Sequence, residues 1–300
     1  MLSVVQSAST RKLLEDAFLS SFHLASDIEH HLSGALRETL ERPGSMIRAD
    51  LALRTGRTYG LPEGSAEKLA IAIEYFHTAS LVFDDLPCMD NASHRRGAPC
   101  VHHLFGEGAA ILAALALINR AYALLWKAVA GFPVGLQSAC LDYVEQNLGV
   151  AGLLNGQSQD INYSKLTADS RVPQQIALGK TVSLIRLALV LPAMLGGAPP
   201  KEIHLLKRLA VSWGLSYQIV DDLKDILHTA EQGGKTTARD ADLDRPNLAL
   251  TIGIHESFRK VDRLMRISDR IISKLSQRQP SFGFLNGIRE QFDKELSTLS

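Results

Sequence analysis

Residues 64–86 read GSAEKLAIAIEYFHTASLVFDDL, with apolar side chains recurring at spacings of three and four. That is the period of a helix with a buried face, not the period of two that a half-buried strand requires. The same spacing returns in 109–130, 136–155, 174–195, 202–227 and 257–275. Breakers separate these segments at Pro43-Gly44, Leu61-Pro62, Gly131 to Pro133, Gly196 to Pro200 and Gly233-Gly234. Alternating β-branched runs closed by Asn-Gly or Asp-Gly turns do not occur. Several segments are apolar on more than one face, which places them in the middle of a large bundle. The expectation is an all-α chain of roughly ten or more helices around a central cavity, forming one domain over residues 1–300.

Composition narrows the function classes. The formal net charge is zero over 300 residues, so no broad field favours nucleic acid or an anionic membrane. Met1 to Lys12 has no apolar stretch after a basic start, and so does not read as a signal peptide. The longest apolar run, about Ala109 to Ile118, lies between Glu107 and Arg120 and reads as too short to span a bilayer. Cys88, Cys100 and Cys140 form neither a metal-ligand spacing nor an even disulfide framework, which suits a reducing cytoplasm.

Two acidic clusters stand out. Asp84-Asp85-Leu-Pro-Cys-Met-Asp90 closes the helix of 64–86, and Asp221-Asp222-Leu-Lys-Asp225 reads as closing another. Asp221 and Asp225 are four apart and share a helical face. Asp84 and Asp90 are six apart, too far round a regular helix, but Pro87 weakens the helix between them and lets both reach one rim. Carboxylates this dense repel one another unless a cation sits among them. Hard oxygen ligands suit Mg²⁺, which keeps waters and shares its shell with substrate phosphates.

A magnesium–diphosphate site also needs cations around the phosphates. Arg95-Arg96-Gly97 follows the first cluster, and Gly234-Lys235-Thr236 follows the second on a Gly-rich loop. Lys180-Thr181 lies inside an apolar helix, where a lysine is costly unless it meets a charged partner or a cavity. Taken singly, each reads as an ordinary solvated or packed group. Arg supplies forked donors and Lys a point charge, and as a set around two acidic clusters they fit phosphate oxygens. His77 lies two turns before Asp84 on nearly the same face, and Gln218 three residues before Asp221. Gly156-Gln157 with Asp160 reads as a helix-packing glycine beside a polar wall.

The sequence resembles the trans-isoprenyl diphosphate synthases, the family of farnesyl and geranylgeranyl diphosphate synthases, from about Pro43 to Gly253. Glu74-x-x-His77-x-x-Ser80-Leu81-Val82-Phe83-Asp84-Asp85-Leu86-Pro87-Cys88-Met89-Asp90 with Arg95-Arg96-Gly97 is similar to the family's first aspartate-rich motif. His102-x-x-Phe105-Gly106-Glu107, Lys180-Thr181, Tyr217-Gln218-x-x-Asp221-Asp222-x-x-Asp225 and Gly234-Lys235-Thr236 match later blocks in order. The resemblance implies the isoprenoid synthase fold, a homodimer, and three Mg²⁺ ions held by Asp84, Asp85, Asp90, Asp221, Asp222 and Asp225. It implies that Arg95, Lys180 and Lys235 grip an allylic prenyl diphosphate, with Thr181 and Gln218 also lining the substrate site. Arg96, His77 and Arg48 would hold isopentenyl diphosphate, the acceptor. Neutralised pyrophosphate then leaves, an allylic cation forms, the acceptor alkene attacks it, and a proton is lost.

The chain also departs from that family. Its members typically carry a Gly-Lys-Arg-x-Arg-Pro block, whereas this chain has Gly44-Ser45-Met46-Ile47-Arg48-Ala49. Leu115, Phe83 and Arg245-Pro-Asn247 depart as well. An intact allylic half with an eroded acceptor half fits an elongating prenyltransferase first. It fits second a terpene-synthase-like lyase that releases a hydrocarbon or alcohol, and least a non-catalytic regulatory subunit. Restoring the family block by Ser45→Lys with Met46→Arg is expected to strengthen acceptor binding. Ala79 and Ser80, five and four residues before Asp84, are small and are expected to form a deep tunnel floor that admits C20 or longer chains.

Overall fold

The computed structural model describes residues 8–166, 171–231 and 246–297. Its chain packs as two compact units that divide between Pro133 and Val134.

The unit before Val134 contains α1 (Ala8–Ser20), α2 (His30–Leu40), α3 (Ile47–Thr58), α4 (Glu63–Asp84), α5 (Val101–Phe105) and α6 (Glu107–Val129). The expected helix of 64–86 is α4, which packs along α6 and against α3. Alanine makes these approaches close: Ala66, Ala70 and Ala72 on α4 and Ala110, Ala113, Ala114 and Ala121 on α6 are all buried. Gly56 on α3 has the same use, because a Cβ there would lie 3.0 Å from the Ala66 Cβ. Leu69, Ile71, Ile73 and Tyr75 fill the space between helices.

A short antiparallel hairpin interrupts the helices, β1 (His94–Arg95) pairing with β2 (Ala98–Pro99). Two residues per strand are too few to show a period of two, so the all-helical reading missed it. Arg96 and Gly97 make the turn with φ of 55° and 79°, the left-handed pair that a two-residue hairpin loop demands.

The unit from Val134 contains α7 (Val134–Leu148), α8 (Leu153–Ile161), α9 (Val172–Ala177), α10 (Ser183–Leu195), α11 (Pro200–Glu231), α12 (Leu248–Ile252), α13 (Ile254–Arg278) and α14 (Phe284–Ser297). α10 is buried almost all round and packs on α7 and α11. α11 in turn packs on α13, whose outward face is polar. A π-helical turn, Leu178–Val182, joins α9 to α10.

Two expectations need correction. Asp221 to Asp225 do not close their helix, because α11 continues to Glu231. The apolar run in α6 does not stop at Arg120 either. The helix continues to Val129, and at 23 residues it is long and apolar enough to cross a membrane, as is Val172–Leu195. The Arg120 guanidinium is accommodated inside the fold, where its Nε donates to the Ser21 carbonyl, so the charge did not mark a helix end.

Candidate active site

In the unit before Val134, α4 ends at Asp84 and the chain turns back on itself. The Asp90 N–H donates to the Asp84 carbonyl at 2.9 Å, and Ala92 and Asn91 donate to Asp85 and Leu86. The break expected at Pro87 is therefore present, and it brings the backbones of Asp84 and Asp90 together. Both side chains are half-buried, whereas Asp85 is buried. The Asp85 carboxylate is clamped by Arg95, whose Nε lies 2.8 Å from each oxygen and whose Nη2 lies 2.7 Å from Oδ1. The hairpin supplies this clamp, since pairing of Arg95 with Ala98 fixes where the guanidinium can reach.

Arg48 and His77, the residues that the resemblance assigns to the acceptor diphosphate, are in contact. Arg48 Nη1 donates to His77 Nε2 at 3.0 Å, and because Arg can only donate, that nitrogen is the acceptor and the ring is neutral. Burial holds the His77 pKa well below its usual value, and the charges of Arg48, Arg96 and Arg95 push it the same way. The Arg96 guanidinium lies over the backbone of Gly44, where any Cβ would collide with it. Gly44, Arg48, His77 and Arg96 are thus assembled in one place, and Ser45 stands half-buried beside them.

Met46 is different. It is fully buried with φ of 57° at the start of α3, so the paired change Ser45→Lys with Met46→Arg is not a neutral repair. An arginine in place of Met46 would bury an unmatched charge in a left-handed position.

In the unit from Val134, Lys180 sits on the π turn and its Nζ donates to Asp160 Oδ2 at 2.8 Å. The charged partner that a lysine in an apolar helix requires is therefore Asp160. α8 reaches the π turn through glycines, since a Cβ on Gly156 would lie 2.8 Å from the Gly179 carbonyl carbon. Gly156 is a packing glycine and Asp160 the polar wall beside it.

Thr181, Gln218 and Asp222 form one relay. Thr181 Oγ1 donates to Gln218 Oε1 at 2.8 Å, and Gln218 Nε2 donates to Asp222 Oδ1 at 2.9 Å. Asp222 Oδ2 accepts the Leu248 N–H at 2.6 Å and the Ala249 N–H at 3.4 Å, so a buried carboxylate serves the first turn of α12. Asp221 and Asp225, by contrast, are exposed on α11 one turn apart. Lys235 and Thr236, with Arg245, lie outside the described residues.

The two Asp-Asp pairs follow one rule. The second member (Asp85, Asp222) turns inward and is satisfied by protein donors, while the first (Asp84, Asp221) stays accessible. Among the described residues, no three of His, Cys, Asp and Glu converge as a preformed cage. Mg²⁺ does not demand one: it binds through one or two carboxylates plus waters and phosphates. Within its own unit, each of the accessible pairs Asp84/Asp90 and Asp221/Asp225 supplies anionic oxygens of that kind, so the residues present fit Mg²⁺.

Comparison with known proteins identifies the family. A model described as Polyprenyl synthetase matches residues 29–277. The chain belongs to the polyprenyl synthetase family. It is 34% identical over 255 residues to geranylgeranyl pyrophosphate synthase 7, chloroplastic, of Arabidopsis thaliana, a match covering 84% of this chain and 73% of that protein. It is 34% identical over 235 residues to geranylfarnesyl diphosphate synthase, chloroplastic, of Leucosceptrum canum, covering 77% of this chain and 65% of that one. Among solved structures, it is similar to a geranyltransferase from Helicobacter pylori complexed with magnesium and isoprenyl diphosphate. That match has a TM-score of 0.77 at 26% identity and covers 97% of this chain and 95% of the other. The all-α isoprenoid synthase architecture expected from the motifs is the one present.

One residue of the site had no role assigned from sequence. Glu74 is buried within electrostatic reach of Arg48 and Arg96. The signal for it was a carboxylate among Ile71, Ile73, Tyr75 and Phe76, one turn from His77.

Proposed function

We propose that this protein is a Mg²⁺-dependent trans-prenyltransferase. It ionises an allylic prenyl diphosphate and condenses it with isopentenyl diphosphate to give a longer trans-prenyl diphosphate. The observation that carries this reading is the assembled group of Arg48, His77 and Arg96 around Gly44, because a lyase acting on one diphosphate has no use for a second basic cluster. The relatives named as geranylgeranyl and geranylfarnesyl diphosphate synthases support it, although the chain spans only about two thirds to three quarters of their lengths.

In this reading Asp84, Asp90, Asp221 and Asp225 hold the ions, three in number by family resemblance. Asp85 and Asp222, which the resemblance also implies as ligands, already accept from Arg95 and from Gln218 with the Leu248 N–H, and in this reading they position the two motifs from behind instead. When bound, Mg²⁺ neutralises the diphosphate and makes it a better leaving group. Arg95, Lys180 and Lys235 bind the pyrophosphate as its C–O bond breaks. Arg48, His77 and Arg96 hold the acceptor so that its double bond forms the new C–C bond with the allylic carbon. The proton then lost from the acceptor goes to the released pyrophosphate.

A homodimer is part of the same proposal. Ile111, Leu112, Leu115, Tyr122 and Trp126 of α6 are exposed and recur at helical spacing, a stripe that a second copy would cover. The departure at Leu115 then adds apolar area to that stripe. A cytoplasmic location is proposed on the three free cysteines.

The product is proposed to be C20 or longer. Ser80 is half-buried and its hydroxyl donates to the His77 carbonyl at 2.8 Å. Ala79 is only 1% exposed and lies in the packed core. Ser80→Phe is therefore the sharper probe, while Ala79→Phe would overpack α4 at a cost of about 1–3 kcal/mol. Ser80→Phe should shift products toward shorter chains in a chromatographic length analysis, and an unchanged distribution would place the tunnel floor elsewhere.

The deciding assay incubates the purified protein and Mg²⁺ with each allylic diphosphate, with and without isopentenyl diphosphate, and identifies products. A longer prenyl diphosphate formed only with the acceptor supports the proposal. A hydrocarbon or alcohol formed without it supports the lyase reading, which the absence of a lysine at the Ser45 position favours. Ser45→Lys, made without touching Met46, should lower the acceptor KM about tenfold, since one charge-assisted contact is worth roughly 1.5–3 kcal/mol. An acceptor KM unmoved by that added lysine would mean that position 45 does not face the acceptor.

A further inference from the structure

Glu74 lies three residues before His77 on α4, on nearly the same helical face. It is 2% exposed, and burying a carboxylate in so apolar a stretch is costly without compensation. The compensation comes from α3. The Ala49 N–H donates to Glu74 Oε2 at 3.2 Å. Ala49 is the third residue of α3, and Met46 at its N-cap provides no capping side chain. A carboxylate from α4 therefore satisfies an orphan donor at the start of α3, the task normally done by a local cap.

Arg48 precedes Ala49 in the chain and donates to His77 Nε2. Burial raises the Glu74 pKa, while Arg48, the Ala49 N–H and Arg96 oppose that rise, so both guanidinium groups lie within electrostatic reach. One buried carboxylate thus sits behind the basic groups assigned to the acceptor diphosphate.

We propose that Glu74 is a positioning residue of the acceptor subsite, which clamps the first turn of α3 onto α4 and so holds Arg48 against His77 at a fixed spacing. It does not touch substrate; it acts through Arg48. The inference rests on the acceptor role given above to Arg48, His77 and Arg96. Its consequence is selective, because acceptor binding depends on Glu74 and allylic binding does not.

The test uses the full chain with Mg²⁺, measuring the KM of each substrate and titrating isopentenyl diphosphate calorimetrically. Glu74→Ala should raise the acceptor KM and Kd about tenfold or more, a loss of roughly 1.4 kcal/mol, and leave the allylic KM unchanged. Glu74→Gln keeps an oxygen acceptor for Ala49 and should bring acceptor binding back to within about threefold of wild type. If Glu74→Ala fails to fold, Glu74→Asp withdraws the same acceptor by one methylene and should weaken acceptor binding selectively. An equal shift in both substrates, or none in either, overturns the proposal. Wild-type protein that binds isopentenyl diphosphate without forming a longer product would refute elongation, while the calorimetric arm would still judge Glu74. Wild-type protein that does not bind it would overturn both.

Discussion

Asp84→Ala and Asp221→Ala should each lower turnover on the order of a thousandfold or more while the melting temperature stays close to that of the wild type. Both carboxylates are accessible where their helices present them, one at the end of α4 and one on the exposed side of α11. Asp221 is exposed and Asp84 half-buried, both outside the packed core, so their loss should cost less stability than that of a buried carboxylate. What they lose is the anionic oxygen that draws Mg²⁺ to a diphosphate, the term on which charge neutralisation of the leaving group depends. A product assay beside a thermal melt checks both halves. Normal turnover by either variant, or full activity in excess chelator, would refute the metal assignment.

Their immediate neighbours should behave in the opposite way. Asp222→Ala removes the acceptor for the Leu248 and Ala249 N–H groups and the partner of Gln218, leaving buried donors unpaired. Each orphan costs about 1–3 kcal/mol, so with the two close contacts, to Leu248 and Gln218, a stability loss of roughly 2–6 kcal/mol is expected in chemical denaturation. Asp85→Ala strands Arg95, but that guanidinium is 35% exposed and water can reach it, so the loss should be smaller, about 1–3 kcal/mol. Activity should fall in both through displacement of the motif. Asp222→Asn, which keeps an oxygen toward α12, should recover most of the stability. If Asp222→Ala melts like the wild type while Asp221→Ala unfolds, the inward and outward assignments are reversed.

The contrast within each Asp-Asp pair shows where sequence reading stopped. Adjacent carboxylates are chemically identical on paper, and helical spacing places Asp221 with Asp225 but does not say which neighbour is buried. That choice depends on residues remote in the chain: Arg95, carried round by a two-residue hairpin, and the N–H groups of α12. The Met46 position is a second example. Letter by letter it reads as a lost arginine, but in the fold it is a buried side chain in a left-handed turn, and the loss cannot be reversed by substitution alone.

Local patterns determined the helical class, the principal segments and the two acidic clusters. A period of three to four, a proline after Asp84 and the cost of crowded charge all act within a few turns of chain. The motif set in order also sufficed to point to the family. Tertiary structure decided the rest: that α6 runs through Arg120, that α11 runs past Asp225, that Lys180 meets Asp160, and that Glu74 caps α3 from a different helix. Burial, charge pairing and the satisfaction of orphan N–H groups are settled between segments far apart in sequence, and no window of neighbouring residues contains both partners.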